Sequence, residues 1–205
     1  MAKQIEGVYE KVLECAKQEF LEKGFKDASL RTIAQNAGTS TGSIYTRFTD
    51  KHGLFEALVS SSAAGLKELY LGVQMEFSER PGNEQRETMS DYSEDKFKDF
   101  IGYIYDHFDE FKLLITCSEG TKFSEFIHSL VEIDVEYSLK FIQASGNDAL
   151  SSGRATPELL HIVSSAFFSG VFEIVVHDMT REAADRYIDR LKCFFLAGWG
   201  TILSP

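Results

Sequence analysis

Proline is scarce in this chain, with only 3 among 205 residues (Pro81, Pro157 and Pro205), so little interrupts helix formation. Cysteine is equally sparse. Cys15, Cys117 and Cys193 are odd in number and far apart, which excludes a disulfide framework, matches no zinc spacing and suits a reduced, cytoplasmic setting. No uninterrupted apolar run reaches the roughly 18 residues of a bilayer span, and no charged-then-apolar leader opens the chain. The five histidines (His52, His107, His128, His161, His177) stand singly, without HExxH spacing. GxSxG, Walker A and GxGxxG patterns are missing, and Cys117-Ser118-Glu119 has nothing beside it to orient a nucleophile. These absences argue against an enzyme, a bound cofactor and a metal centre. Strand-like alternation of any length is also missing, which leaves an all-α fold.

What the chain does contain is apolar and aromatic: 43% hydrophobic residues and 17 phenylalanines, enough for a packed helical core. The most informative stretch runs from Ser29 to Lys51, SLRTIAQNAGTSTGSIYTRFTDK. It reads as two short helices around a glycine turn. Ser29 is a helix N-cap, Leu30, Ile33 and Ala37 share one helix face, and Gly38 supplies the left-handed turn. Ser40 or Thr41 caps the second helix, Ile44 and Phe48 bury one side of it, and Asp50 caps the next helix ahead of Lys51.

The polar side of that second helix carries the functional expectation. Thr41, near its start, offers a hydroxyl and a methyl to a base edge, and Gly42 lets the backbone approach a duplex. Tyr45, Thr46, Arg47 and Lys51 suit phosphate contacts, which set register without reading sequence, and the cap residues Ser29 and Ser40 are counted with them at the DNA-binding surface. Arg31, on the first helix, suits a bidentate contact with guanine. The net charge of −11 looks adverse to DNA binding, but its distribution is uneven. Residues 1–53 hold 8 basic and 7 acidic side chains, and the remainder 13 basic and 25 acidic. The acidic excess therefore belongs to the C-terminal part, and screening beyond roughly 8–10 Å makes local charge decisive.

With the preceding VYEKVLECAKQEFLEKGFKDAS and the following HGLFEAL, this stretch resembles the N-terminal signature of TetR-family transcriptional regulators over about residues 4–64. In the family the run matching Gly24-Phe25 ends the first helix, Ile33-Ala34 and Gly38 shape the turn, and Ile44-Tyr45, Phe48 and Lys51 form the recognition helix and its exit. Thr41 departs from the pattern, since relatives often carry Lys or Arg there, and one strong contact is lost. The resemblance implies a three-helix DNA-binding domain at 1–50, a helical ligand-binding and dimerisation domain at 51–205, a homodimer on near-palindromic operator DNA and a small-molecule inducer. It favours a repressor. The alternative is a dimeric small-molecule-binding or interaction module with weak or vestigial DNA binding.

Beyond Lys51 the pattern predicts a linking helix to Phe77, weakened at Gly65 and Gly72. A polar loop over Ser78–Ser93 follows, then helices at Glu94–Cys117 (broken near Asp109), Lys122–Ala144, Pro157–Asp178 and Arg181–Leu203. Residues 145–156, SGNDALSSGRAT, read as a second flexible loop. The helix 157–178 is apolar nearly all round, the helix 181–203 carries Leu191, Phe194, Phe195, Leu196, Trp199 and Ile202, and with interleaved small residues the two are the expected homodimer interface. A ligand pocket is expected between the middle helices. Its candidates are His107, Phe108, Phe111, Phe126, Leu130, Asp134, Tyr137, Ser138, Phe168 and Phe172, an aromatic set with few polar groups. Asp134 falls inside an apolar arc, where an acid must be paired, hydrated or facing a cavity. The phenylalanines fit a simple core equally well.

Overall fold

The computed structural model describes the backbone of residues 2–204, and their side chains except at 2–6, 90, 91 and 93–95. Among the described residues there are nine helices and no strand: α1 (Ala2–Asp27), α2 (Leu30–Asn36), α3 (Thr41–Phe48), α4 (Lys51–Ser78), α5 (Gly82–Asp106), α6 (Phe108–Thr116), α7 (Phe126–Ala144), α8 (Pro157–Val176) and α9 (Arg181–Leu203). They form two compact units. One comprises residues 1–65 and 107–126, the other 66–106 and 127–205. Packing and the expected boundary at 50/51 thus divide the chain differently, because the α6 segment packs with the N-terminal helices.

The first unit is built on an aromatic core. Val12, Ala16 and Phe20 recur every four residues along α1 and are at most 4% exposed. Gly24 leaves helical geometry at φ 71°, and the turn drives Phe25 inward against Phe20 and Phe55, with ring centroids 5.9 and 5.4 Å away. The α6 segment adds Phe111, Leu113 and Leu114, all buried. Phe25 N–H donates to the Cys117 carbonyl at 3.1 Å, and Lys17 pairs with Asp109 at 2.8 Å.

The second unit holds the later part of α4 with α5, α7, α8 and α9. Thr156 caps α8 by accepting from Leu159 N–H, with Pro157 in the first turn, as its sequence predicts. Seven α8 side chains are buried in this unit, so a helix whose length and apolar content also suit a membrane span serves here as a core helix.

Several expected boundaries move. α4 runs unbroken through Gly65 and Gly72. The polar stretch predicted as a loop is mostly the opening of α5, which starts at Gly82. Gln85, 2% exposed, donates to the carbonyls of Arg80 (2.7 Å) and Ser78 (3.2 Å) at the end of α4. A Cβ on Gly82 would strike the Ala144 carbonyl, so only glycine permits that approach. The break after α5 falls at His107 rather than Asp109, and α7 begins at Phe126 rather than Lys122. Residues 145–156, expected as a flexible loop, bury Ala149 and Ala155 in a cluster with Ile142 and Leu160. Asn147 and Arg154 donate to the carbonyls of Leu203 (2.8 Å) and Ile202 (3.2 Å), satisfying the open end of α9.

Candidate nucleic-acid interface and ligand cavity

Two sites stand out, one in each unit. The first is the α2–turn–α3 surface. Ser29 Oγ accepts from Thr32 N–H at 3.3 Å, while Ser29 N–H donates to the Glu19 carboxylate of α1 at 3.0 Å. Ile33, Ala34 and Ala37 are buried, and Gly38 turns the chain at φ 68°. Ser40, rather than Thr41, caps α3 by accepting from Ser43 N–H at 3.1 Å. Ile44 and Phe48 anchor α3 in the core at 1% and 8% exposure. The opposite face presents Gly42, Ser43, Tyr45, Thr46 and Arg47 to solvent, with Thr41 half-buried and Tyr45 53% exposed. Arg31 is exposed on α2.

The exit from α3 is tightly specified. Thr49 takes φ 69°, a costly conformation for a β-branched residue. Asp50 accepts from Gly53 N–H at 2.8 Å and caps α4. A Cβ on Gly53 would collide with the Phe48 carbonyl. Lys51 Nζ donates to the carbonyls of Lys26 (2.9 Å) and Ala28 (3.1 Å) and lies 4.9 Å from the Phe25 ring centre. The lysine expected at a phosphate therefore ties the end of α1 to the start of α4. Arg47 stacks on Tyr9 at 4.1 Å, and Tyr9 stacks in turn on Phe48. Thr46 donates to the Gly42 carbonyl at 2.9 Å. Sequence reasoning missed Tyr9, Glu19 and Gly53, since their partners lie on other helices or in the backbone.

The match to known proteins falls on this surface. Residues 12–58 match the sequence profile of Bacterial regulatory proteins, tetR family. Over this segment the chain is similar to the TetR family. The chain is similar to YvdT of Bacillus subtilis, an uncharacterized HTH-type transcriptional regulator, with 39% identity over 61 residues, 30% of this chain and 31% of that one. It is also similar to AcnR of Corynebacterium diphtheriae, an HTH-type transcriptional repressor, with 37% identity over 60 residues, 29% of this chain and 32% of that one. The matched segment thus spans about a third of either relative's length. The whole fold resembles the crystal structure of a TetR-family regulator from Mesorhizobium loti, with TM-score 0.52 and 18% identity over 94% of this chain and 96% of that one.

The second site is a cavity of about 500 Å³ within the other unit. Five helices line it: α4 through Tyr70, Gln74 and Phe77, α5 through Tyr92, Lys96, Phe97 and Phe100, α7 through Asp134, Tyr137, Ser138 and Phe141, α8 through Val163, Ser164 and Phe167, and α9 through Asp189, Lys192, Phe195 and Trp199, among others. Asp134 Oδ1 accepts from the Tyr70 hydroxyl and Oδ2 from the Ser164 hydroxyl, each at 2.5 Å. Gln74 donates to the Tyr70 oxygen at 2.7 Å. Burial pushes the Asp134 carboxyl above its usual range, and the Ser164 and Tyr70 hydroxyls partly oppose this by donating to its charged form. Burial, then the nearby Asp134 charge, pushes the Tyr70 hydroxyl well up, so it remains a donor.

Three of the ten residues expected at a pocket lie on this wall: Asp134, Tyr137 and Ser138. The other seven do not. His107 precedes α6, and Phe108, Phe111 and Phe126 belong with it to the first unit. Leu130, Phe168 and Phe172 are buried off the lining, and Phe168 backs it with its ring 5.3 Å from that of Tyr70. The helical wheel of α7 identified an apolar face, but that face divides between core and cavity. Tyr70 and Ser164 escaped sequence reasoning because their common partner, Asp134, is 64 and 30 residues away.

Proposed function

We propose that the protein is a DNA-binding transcriptional regulator, acting as a repressor that leaves its operator when a lipophilic ligand fills the α4–α5–α7–α8–α9 cavity. The observation that carries this reading is the α3 surface: two buried anchors, Ile44 and Phe48, hold a solvent-facing row of Gly42, Tyr45, Thr46 and Arg47 within a TetR-type domain. Arg31 is assigned to guanine. Ser29, Ser40, Thr41, Tyr45 and Thr46 are assigned to the duplex backbone and groove edge, and Arg47 reaches phosphate by leaving Tyr9.

The operator is near-palindromic double-stranded DNA, read by a homodimer whose α3 helices lie about 34–36 Å apart or a multiple of that. The dimer forms through α8 and α9, which expose Ile162 (63%), Val176 (40%), Phe194 (73%) and Leu196 (38%). Large apolar groups exposed on these two helices support such an interface. The protein works in the cytoplasm, where its DNA is. Residues 1–50 bind DNA and 51–205 bind ligand and the second subunit.

Helix α4 connects the two functions. Lys51 at its start holds the end of α1, and Tyr70 near its middle holds Asp134. Ligand that alters the Tyr70–Asp134 contact acts on the helix that carries Lys51. A differential affinity of about 1–3 kcal/mol between the two states gives roughly 5–150-fold control. The names of the relatives, regulators and a repressor, support a non-enzymatic role. Binding to promoter DNA of its own or a neighbouring gene, measured against salt, tests the reading. Tight binding to one fragment with a steep salt dependence supports it, and equal weak binding to all fragments opposes it.

The second reading, a dimeric ligand-binding module with weak DNA binding, draws on Lys51 and Arg47, whose charges both have partners within the chain. Ligand binding with no DNA binding at low salt would favour it.

A further inference from the structure

The cavity's chemistry narrows the ligand, and the narrowing rests on the ligand-responsive reading above. Of the residues lining it, ten are aromatic, so ring faces and edges are present on all five helices. Within this apolar wall sits one carboxylate met only by neutral hydroxyls: Asp134 accepts from Tyr70 and Ser164, and no ammonium, guanidinium or imidazole pairs with it among the described ion pairs. An ionised carboxylate accepts about four hydrogen bonds, so two bonds leave Asp134 with unused acceptor capacity.

The two lysines on the wall are differently placed. Lys96 lies 3.7 Å from Glu76 and 5.7 Å from the Tyr92 ring centre, and Lys192 lies 6.0 Å from that of Phe97. Asp189, also on the lining, adds a second negative charge. The lysine charges already face a carboxylate or rings, whereas no cation pairs with Asp134 among the described residues.

We propose that the cavity selects a lipophilic organic cation, with aromatic side chains such as Phe77, Phe97, Phe141 and Trp199 around its apolar body and Asp134 as its counter-charge. Aromatic faces attract a desolvated cation, and a buried carboxylate adds attraction that no neutral or anionic ligand receives. The arrangement also rejects anions, because an acidic headgroup near Asp134 would place two like charges in one desolvated site.

Three amphiphiles with the same dodecyl chain test this below their micellar concentrations: dodecyltrimethylammonium, dodecanol and dodecanoate. Binding to the full-length protein is read by isothermal titration calorimetry. The expected order is ammonium first, by about tenfold or more over the alcohol, with the carboxylate weakest. Asp134→Asn should lower affinity for the ammonium about tenfold and leave the alcohol within about twofold. Tightest binding by dodecanoate, or an unchanged ammonium affinity in folded Asp134→Asn, overturns the proposal. The wild-type series alone decides the charge class should the variant not fold. No arm contains DNA, so a cation preference in a protein that binds no operator overturns only the regulator reading. Operator binding with a dodecanoate preference overturns only this inference.

Discussion

The α3 surface and the cavity are held by different kinds of interaction. The α3 surface is shaped mainly by its immediate neighbours: Ser40 caps it, Gly38 turns into it, and Asp50 and Gly53 close its exit. The cavity wall gathers residues from Leu69 to Leu203, and its Asp134 carboxylate accepts from hydroxyls on α4 and α8. A locally specified surface tolerates a divergent body, whereas a wall drawn from five helices changes whenever any one of them does. The likeness to known proteins follows this division: the family profile matches residues 12–58, while the full-length likeness is one of fold at 18% identity.

The largest effect should come from the core behind the cavity. Phe168→Ala removes a fully buried ring next to Tyr70 and Phe100, and should cost about 3–5 kcal/mol in chemical denaturation, with dodecyltrimethylammonium binding lost as well. Gly53→Ala is the counterpart in the first unit. It drives a methyl against the Phe48 carbonyl and should cost about 1–3 kcal/mol. It should abolish operator binding yet leave amphiphile binding intact in calorimetry. If both variants lose both activities equally, the contrast between the two sites fails.

Arg31→Ala should weaken a preferred operator by about 1–3 kcal/mol while changing random-sequence DNA less. Lys51→Ala sharpens the comparison from the other side. If Lys51 ties α1 to α4, the variant should lose about 1 kcal/mol in denaturation, with the salt slope of DNA binding unchanged. A slope flattened by about one counterion would return Lys51 to phosphate. Tyr70→Phe keeps the ring and removes the donor. It should bind the ammonium amphiphile within about threefold of wild type, yet reduce its effect on operator affinity.

The smallest effect concerns pH. The Asp134 carboxyl titrates above its ordinary value, so its protonated form favours the folded chain. Stability from this group is greatest below the unfolded-state value and is lost as pH rises through the raised folded-state value. Wild type should therefore lose stability relative to Asp134→Asn across that rise, measured as a difference in unfolding free energy between the two proteins.

Local signals were readable in advance. The caps at Ser29 and Thr156, the Gly38 turn and the paired anchors Ile44 and Phe48 each act within a few residues, and the structure contains all of them. The start of α5 was not readable, because its polar face resembles a loop until Gln85 is seen reaching back to the end of α4. Residues 145–156 misled for a similar reason: Gly, Ser and Asn suggested mobility, but Asn147 and Arg154 bind carbonyls 56 and 48 residues away. Asp134 was conspicuous as an acid among apolar neighbours. Its partners, and the aromatic wall contributed by α5 and α9, depend on tertiary packing that periodicity does not encode.

Selection of bound sequences from a pool of random DNA duplexes, using the full-length protein, tests the central claim most directly. The account predicts enrichment of one two-fold-symmetric site whose half-sites lie one or more helical turns apart, and loss of that enrichment in Arg31→Ala. A pool that shows no enriched sequence at low salt would contradict it.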